Sequence, residues 1–157
     1  YQTTVANARD NLAIMTVAGP ADDLALMRYG LASCLMDDGY YYYTSKEDHY
    51  RSALWFDEFD VNLGRAIDPP QFSPWKNGIY RRRFENGMAL VNPKGNGTQT
   101  VQIEDGYRRI SGRQDADTNN GQPASSVTIA ERDGLILVRE NGAANDVRPK
   151  PPVLIGE

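Results

Sequence analysis

The sequence predicts an α+β fold, in which an N-terminal βα segment is followed by a small antiparallel β-sandwich. Its 157 residues are 40% apolar and 24% charged, which is the balance of a folded globular protein. An apolar run and helix-spaced apolar residues precede residue 64, and short β-like segments separated by turn residues follow residue 77. The length also excludes a complete eight-stranded β/α barrel, because that fold needs about 250 residues.

The βα segment is predicted from the first part of the chain. Residues 12–17 form a compact apolar run that ends at turn residues, as a buried strand of a parallel sheet does. Pro20 and two following acids favour the start of a helix, and Gly39 is placed to end it. Four tyrosines at residues 40–43 then predict a second strand, which completes a βαβ-like unit. The apolar stripe of the helix consists of Leu24, Met27, Leu31 and Leu35.

The chain is predicted to divide at an irregular connection that contains prolines. Asn86-Gly87 is a strong hairpin signal between the first two strands beyond this connection. The segments are residues 1–64 (α/β segment), 65–76 (linker), 77–140 (antiparallel β-sandwich) and 141–157 (extended polar tail with prolines). The predicted strands of the sandwich cover residues 79–84, 88–91, 98–103, 107–110, 126–130 and 135–139, and residues 114–124 are predicted to form a long surface loop.

Composition and charge exclude several kinds of partner. Lys and Arg number 17 against 21 Asp and Glu, so the formal net charge is −4 and we expect no nucleic-acid binding. No apolar run approaches the roughly 18 residues of a membrane span. Cys34 is the one cysteine, which excludes an intrachain disulfide and a thiolate metal cluster. Since phosphate-loop and dinucleotide motifs are also absent from the sequence, we expect no metal and no cofactor. The compartment stays open, with a secreted or extracytoplasmic location among the alternatives.

Two acidic clusters border predicted β segments and aromatic residues. The first ends at Asp38, just before the tyrosines, and the second contains Asp57, Glu58 and Asp60, just after Trp55-Phe56. Sugar sites use carboxylates for acid–base or nucleophilic work, and in β/α barrels such groups lie at the C-terminal ends of strands. These clusters are therefore candidates for contact with a sugar, and the alternative is that they are solvated loop acids.

Aromatic residues beside the clusters offer faces on which a sugar ring can stack. Tyr40 opens the tyrosine run, and Trp55 precedes the second cluster. The alternative for the tyrosines is core packing of at least one pair, because neighbours on a strand face opposite sides. His49, the only histidine, lies between the two clusters, and this position is what favours a functional role for it.

Several stretches of the sequence resemble a family of glycoside hydrolase-like proteins, in which a β/α barrel is followed by a small β-sandwich. The similarity extends over residues 20–140. Its most specific part is Phe84-Glu85-Asn86-Gly87, continued by Leu90-Val91-Asn92-Pro93. The stretches lie at residues 30–40, 54–64, 80–93, 106–110, 114–115, 119–121 and 133–137.

The resemblance implies that the chain is the C-terminal portion of such a protein, with its βα segment a barrel remnant and a carbohydrate as ligand. Hydrolysis by such a protein would use two carboxylates. Because most of the barrel would precede Tyr1, we expect the chain to be inactive alone and to need an upstream barrel segment or another chain as partner. The catalytic candidates are Asp57, Glu58 and Asp38, and the substrate-binding candidates are Tyr40, Trp55, His49 and Asp60.

Two other functions stay open at this point. A non-catalytic β-sandwich module would bind glycan through its aromatic residues, or would only brace a neighbouring domain. A structural or assembly protein would have its incomplete α/β half completed by another chain.

Overall fold

The computed structural model of the chain describes residues 13–45 and 54–140, and it has the predicted α+β fold. His49 and the predicted tail at residues 141–157 lie outside the described residues. Within these ranges, no helix is long and apolar enough to cross a membrane. The elements are strands β1 (Ile14–Gly19), β2 (Tyr40–Ser45), β3 (Tyr80–Phe84), β4 (Gly87–Asn92), β5 (Gln99–Gln102), β6 (Tyr107–Arg109), β7 (Ser126–Ile129) and β8 (Asp133–Arg139), helix α1 (Leu24–Leu35), and a short 3₁₀ turn (Asp57–Asp60).

The first two strands and the helix form a βαβ unit. β1 and β2 pair in parallel, with Ile14 opposite Tyr40 at the start of the pair. α1 begins after Asp23, whose side chain accepts a hydrogen bond of 3.0 Å from the backbone N–H of Leu26 and so satisfies one of the free donors of the first turn. The helix ends at Leu35, four residues before the predicted stop at Gly39.

A β-sandwich follows, as predicted. One sheet has four antiparallel strands in the order β3-β4-β8-β6, and the other consists of β5 and β7. The hairpin between β3 and β4 is present, and Glu85 and Asn86 close it, because Phe84 pairs with Gly87. The predicted Asn86-Gly87 turn is therefore displaced by one position. The core between the two sheets is formed by Ile79, Met88, Leu90, Val101, Ile103, Tyr107, Ala124, Val127, Ile129, Leu135 and Leu137.

Helix α1 covers the other face of the four-stranded sheet. Ala32 and Met36 pack there against Ala89 of β4 and Ile136 of β8. All six residues of β4 are buried, since this strand has the helix on one side and the second sheet on the other. Gly134 permits the close approach, because a Cβ at this position would overlap the carbonyl oxygen of Arg28 and the side chain of Ala32.

The predicted linker at residues 65–76 contacts both the helix end and β3. The backbone N–H of Gln71 donates to the carbonyl oxygen of Met36 at 2.8 Å, and that of Ile67 donates to the carbonyl oxygen of Arg83 at 2.9 Å. The guanidinium of Arg83 bonds the Asp68 carboxylate, which lowers the pKa of that carboxyl. The division of the chain into separate units stays a prediction.

Candidate functional site

The 3₁₀ turn that carries the second acidic cluster is fixed by aromatic packing. Phe56 and Phe59 stand edge-to-face at 5.4 Å between ring centroids. Phe56 also meets Tyr43 of β2 at 5.4 Å, and Phe59 meets Tyr41 of the same strand at 6.1 Å. Edge-to-face pairs of this kind have a defined geometry, so the turn is anchored on the inward face of the parallel strands.

The Asp57 carboxylate holds a distant loop in place. Its Oδ2 atom accepts hydrogen bonds from the backbone N–H groups of Arg113 at 2.6 Å and Gln114 at 2.8 Å. The backbone N–H of Asp57 donates in return to Oε1 of Gln114 at 2.8 Å. One oxygen of this candidate catalytic group is thus engaged by backbone, and Oδ1 carries no hydrogen bond among the described residues.

A groove of about 280 Å³ opens beside this turn, on the helix-side face of the four-stranded sheet. Arg108 and Ile110 face it together, since alternate residues of a strand and its extension share one side. The lining combines charged and hydroxyl groups with apolar side chains, a combination that suits sugars. Its lining residues are Asp57, Asp60, Val61, Arg108, Ile110, Ser111, Arg113 and Val138.

Trp55 is bonded to a residue of the groove lining, although it is not itself one of the lining residues. The side chain is 58% exposed, and its indole N–H donates to Oδ1 of Asp60, a lining residue, at 2.9 Å. The ring also meets Phe59 edge-to-face at 5.7 Å. An exposed aromatic ring normally rotates freely, so these two contacts pre-orient a face for stacking.

Glu58 has different surroundings from Asp57, although the two are neighbours in sequence. It is 6% exposed and accepts a hydrogen bond of 2.8 Å from Nδ2 of Asn119. Burial raises the pKa of its carboxyl, against the opposing effect of the Asn119 hydrogen bond. It lines a second cavity of about 250 Å³ whose other walls are largely apolar, Phe59 and Tyr41 among them.

A buried ionic network supports Glu58 and was not predicted. Arg28 of α1 is 4% exposed and binds Asp133 of β8 through two nitrogens at 3.0 Å each, while a third nitrogen binds Asp115. Asp115 in turn accepts a backbone hydrogen bond of 3.1 Å from Thr118, next to Asn119. Residues 114–124 are therefore only partly a surface loop, as Asn119 is 2% exposed.

One feature of the sequence could have indicated this network. Arg28 follows Leu24 by four residues, so it lies within the apolar stripe of the helix rather than on a solvated side. A charged residue in that stripe must be buried with a partner, which indicates acids elsewhere in the chain. Which acids those are depends on tertiary contacts.

Asp38 and Tyr40 lie apart from the groove lining. Both are at the N-terminal end of β2, whereas barrel-type sites use the C-terminal ends of strands. Asp38 binds the buried Arg82 at 2.7 Å, and Arg82 also donates to the carbonyl oxygen of Leu35 at 3.3 Å, so this pair closes the end of α1. Tyr40 is 61% exposed.

The structure thus brings Trp55, Asp57 and Asp60 together and leaves Glu58 in the neighbouring cavity. Among residues 13–45 and 54–140, no group of three or more His, Cys, Asp or Glu side chains is arranged to hold a metal ion. His49 is outside the described residues. Sequence reasoning missed Arg108, Ser111 and Arg113, because the pairing of β6 with β8 brings this part of the chain beside the turn.

A family model described as hypothetical glycosyl hydrolase family 15 matches residues 7–88, just over half of the chain, and the chain belongs to this family. The matched region contains the βαβ unit, the 3₁₀ turn and β3, whereas the arginines of the groove lie outside it. No curated protein and no solved structure matches the chain.

Proposed function

We propose that this chain is the carbohydrate-binding portion of a glycoside hydrolase-like protein and that it does not hydrolyse glycans by itself. The observation that carries the proposal is the exposed ring of Trp55, which is held by a hydrogen bond to Asp60 of the groove lining. A sugar presents one apolar face and a rim of hydroxyls, so a stacking ring beside carboxylates and guanidinium groups matches both features.

The bonding of the carboxylates supports the lack of hydrolysis. Glycoside hydrolysis requires two carboxyl groups on opposite sides of one glycosidic bond. Asp57 is engaged by two backbone N–H groups, and Glu58 is buried beneath Asn119 in another cavity. Asp57 and Glu58 therefore do not face a common ligand, which counts against these two residues as a catalytic pair.

Calorimetric titration with a panel of oligosaccharides tests the binding. We expect Trp55→Ala to weaken the affinity about tenfold, which corresponds to the loss of one stacked ring. Phe72→Ala is the matched control, because Phe72 is exposed like Trp55, at 64%, but has no hydrogen bond to a residue of the groove lining. Equal binding by wild type and Trp55→Ala would contradict the proposal.

Release of reducing ends from the same oligosaccharides tests the absence of hydrolysis. We expect no turnover above the level without protein. Turnover by the 157-residue chain that Glu58→Gln abolishes would show that the chain is itself an enzyme.

A bracing or assembly role is the second candidate, and the outer face of the parallel strands favours it. Ile14 and Tyr40 are opposite each other in the register and are 59% and 61% exposed, whereas parallel strands are usually covered on both faces. Sedimentation of the protein at high concentration, run beside the titrations, separates the candidates. Association that Ile14→Ser abolishes, without any glycan affinity, supports the assembly role.

A further inference from the structure

The groove contains two arginines whose guanidinium groups have no carboxylate partner. Neither the Arg108 nor the Arg113 side chain takes part in an ion pair or a side-chain hydrogen bond with any described residue. Most other arginines in the described ranges do have a partner, and the exposed Arg65, outside the groove lining, is the exception. Arg28, Arg81, Arg82, Arg83 and Arg132 each bind a carboxylate, Arg109 donates to the carbonyl oxygen of Thr118, and Arg139 lies over the Tyr107 ring.

The two acids of the groove are already used within the protein. Asp57 receives two backbone N–H groups on Oδ2, and Asp60 receives the Trp55 indole N–H on Oδ1. Each keeps one oxygen without a hydrogen bond among the described residues, and that oxygen can accept a sugar hydroxyl. The donors of both guanidinium groups stay available for an anion, and arginine binds a carboxylate through two parallel hydrogen bonds.

We infer that the groove binds an acidic glycan that carries uronic-acid residues. The sugar carboxylate pairs with Arg108 and Arg113, and the ring hydroxyls donate to Asp57 and Asp60. This inference rests on the proposed glycan binding and specifies its substrate class. Because the groove also holds two acids, it favours sugar residues that each carry one carboxylate and several hydroxyls over sugar residues that carry sulfate groups.

Calorimetry with three matched probes tests the inference. The probes are an oligogalacturonate, a neutral galacto-oligosaccharide of the same length, and a sulfated oligosaccharide of the same length. We expect the oligogalacturonate to bind at least about tenfold more tightly than the neutral probe, as one charge-assisted bidentate contact provides. We expect Arg113→Gln and Arg108→Gln each to lower the affinity for the oligogalacturonate by a larger factor than the affinity for the neutral probe, and so to remove most of this preference.

Arg65→Gln is the control, because Arg65 is exposed, has no side-chain partner among the described residues and does not line the groove. Arg108 lies within β6, so Arg108→Gln can reduce the stability of the fold. Arg113 is exposed and lies outside the strands, so Arg113→Gln still tests the inference in that case.

The outcomes distinguish a failure of the uronate assignment from a failure of the proposed glycan binding. Equal binding of the acidic and neutral probes overturns the uronate assignment and leaves the glycan-binding function standing. Tighter binding of the sulfated probe than of the oligogalacturonate overturns the carboxylate specificity. Absence of binding by all three probes overturns both, whereas a uronate preference that Arg113→Gln removes supports both.

Discussion

Asp57 and Glu58 are consecutive acidic residues, but Asp57 is half-buried and Glu58 is buried. Asp57 is half-buried at the groove, where its Oδ2 atom accepts hydrogen bonds from two backbone N–H groups. Glu58 points into an apolar cavity, where burial disfavours the charge and one amide of Asn119 compensates for it. A 3₁₀ turn makes this divergence possible, because neighbouring side chains leave it in different directions.

The raised pKa of Glu58 predicts a measurable pH dependence of stability. Its folded-state pKa lies above the ordinary value of 4.5, so in the pH range between these two values the folded protein binds more protons at Glu58 than the unfolded chain does. This contribution to stability therefore falls as the pH rises from the ordinary pKa through the folded-state pKa. Glu58→Gln keeps an acceptor for Asn119 and removes the charge. We expect a higher Tm than wild type at pH 7, and the difference should vanish at about pH 4 or below.

Differential scanning fluorimetry between pH 4 and pH 8 measures this difference. Glu131→Gln is the control, because Glu131 is exposed and accepts only a surface hydrogen bond from the Gly97 backbone N–H at 3.2 Å. A Tm difference between wild type and Glu58→Gln that stays constant over the whole range would contradict the role of ionisation.

The candidate site was predictable from the sequence only in part. The acids at residues 57–60 are recognisable because they follow an aromatic run, and Trp55 belongs to that run. Arg108 and Arg113 carry no local signal, since they enter the groove through strand pairing about 50 residues further along the chain. Asp38 is equally acidic in sequence, but its contact with Arg82 depends on the tertiary position of β3.

Among the elements, the contact between α1 and β8 determines how the layers stack. Gly134 lies where the helix crosses the strand, and Arg28 binds Asp133 directly beside it. A side chain at residue 134 would push the helix away and would strain this ion pair. The close packing of the helix against β8 therefore requires a glycine at residue 134.

Gly134→Ala is therefore expected to destabilise the protein by about 1–3 kcal/mol through overpacking. Hydrogen exchange should show reduced protection of the amides of α1, and chemical denaturation measures the loss of stability. Gly106→Ala is the control, because Gly106 has a φ of 85° and no atom lies within 4 Å of the place that the added methyl group would occupy, so its cost is backbone strain alone. Equal loss of helix protection in both variants would contradict a local clash.

Local periodicity predicted where the strands lie along the chain, but it did not predict which strands pair with each other. The strand predicted at residues 12–17 is observed at Ile14–Gly19, and the segment predicted at 135–139 is observed at Asp133–Arg139. The pairing of β4 with β8 and the separate pairing of β5 with β7 were not predicted. Alternation of apolar and polar residues fixes which side a strand buries, but strand order is decided by packing between distant segments.

On the scale of the whole molecule, the described parts share contacts across the predicted linker. α1 packs on β4 and β8, Arg82 of β3 caps the helix end, and Gln71 bonds Met36. These contacts favour one cooperative unit, although the chain was predicted to divide at residues 65–76. Small domains that share a core usually unfold in a single transition.

Equilibrium denaturation of Trp55→Phe distinguishes the two descriptions. The remaining tryptophan, Trp75, packs against the sandwich core, and its fluorescence reports on that part. Circular dichroism at the helical minimum reports on α1. We expect the two curves to coincide, and separate midpoints would instead support a boundary at residues 65–76.

The central position of β4 also has a consequence for how the chain is made. This fully buried strand finds its first neighbour, β3, through a two-residue turn, but its second neighbour, β8, begins about 40 residues later. At ribosomal rates of 5–20 residues per second, one edge of an apolar strand stays open for roughly 2–8 s. Nascent chains of this protein should therefore depend on chaperones that shield exposed strand edges until synthesis passes β8.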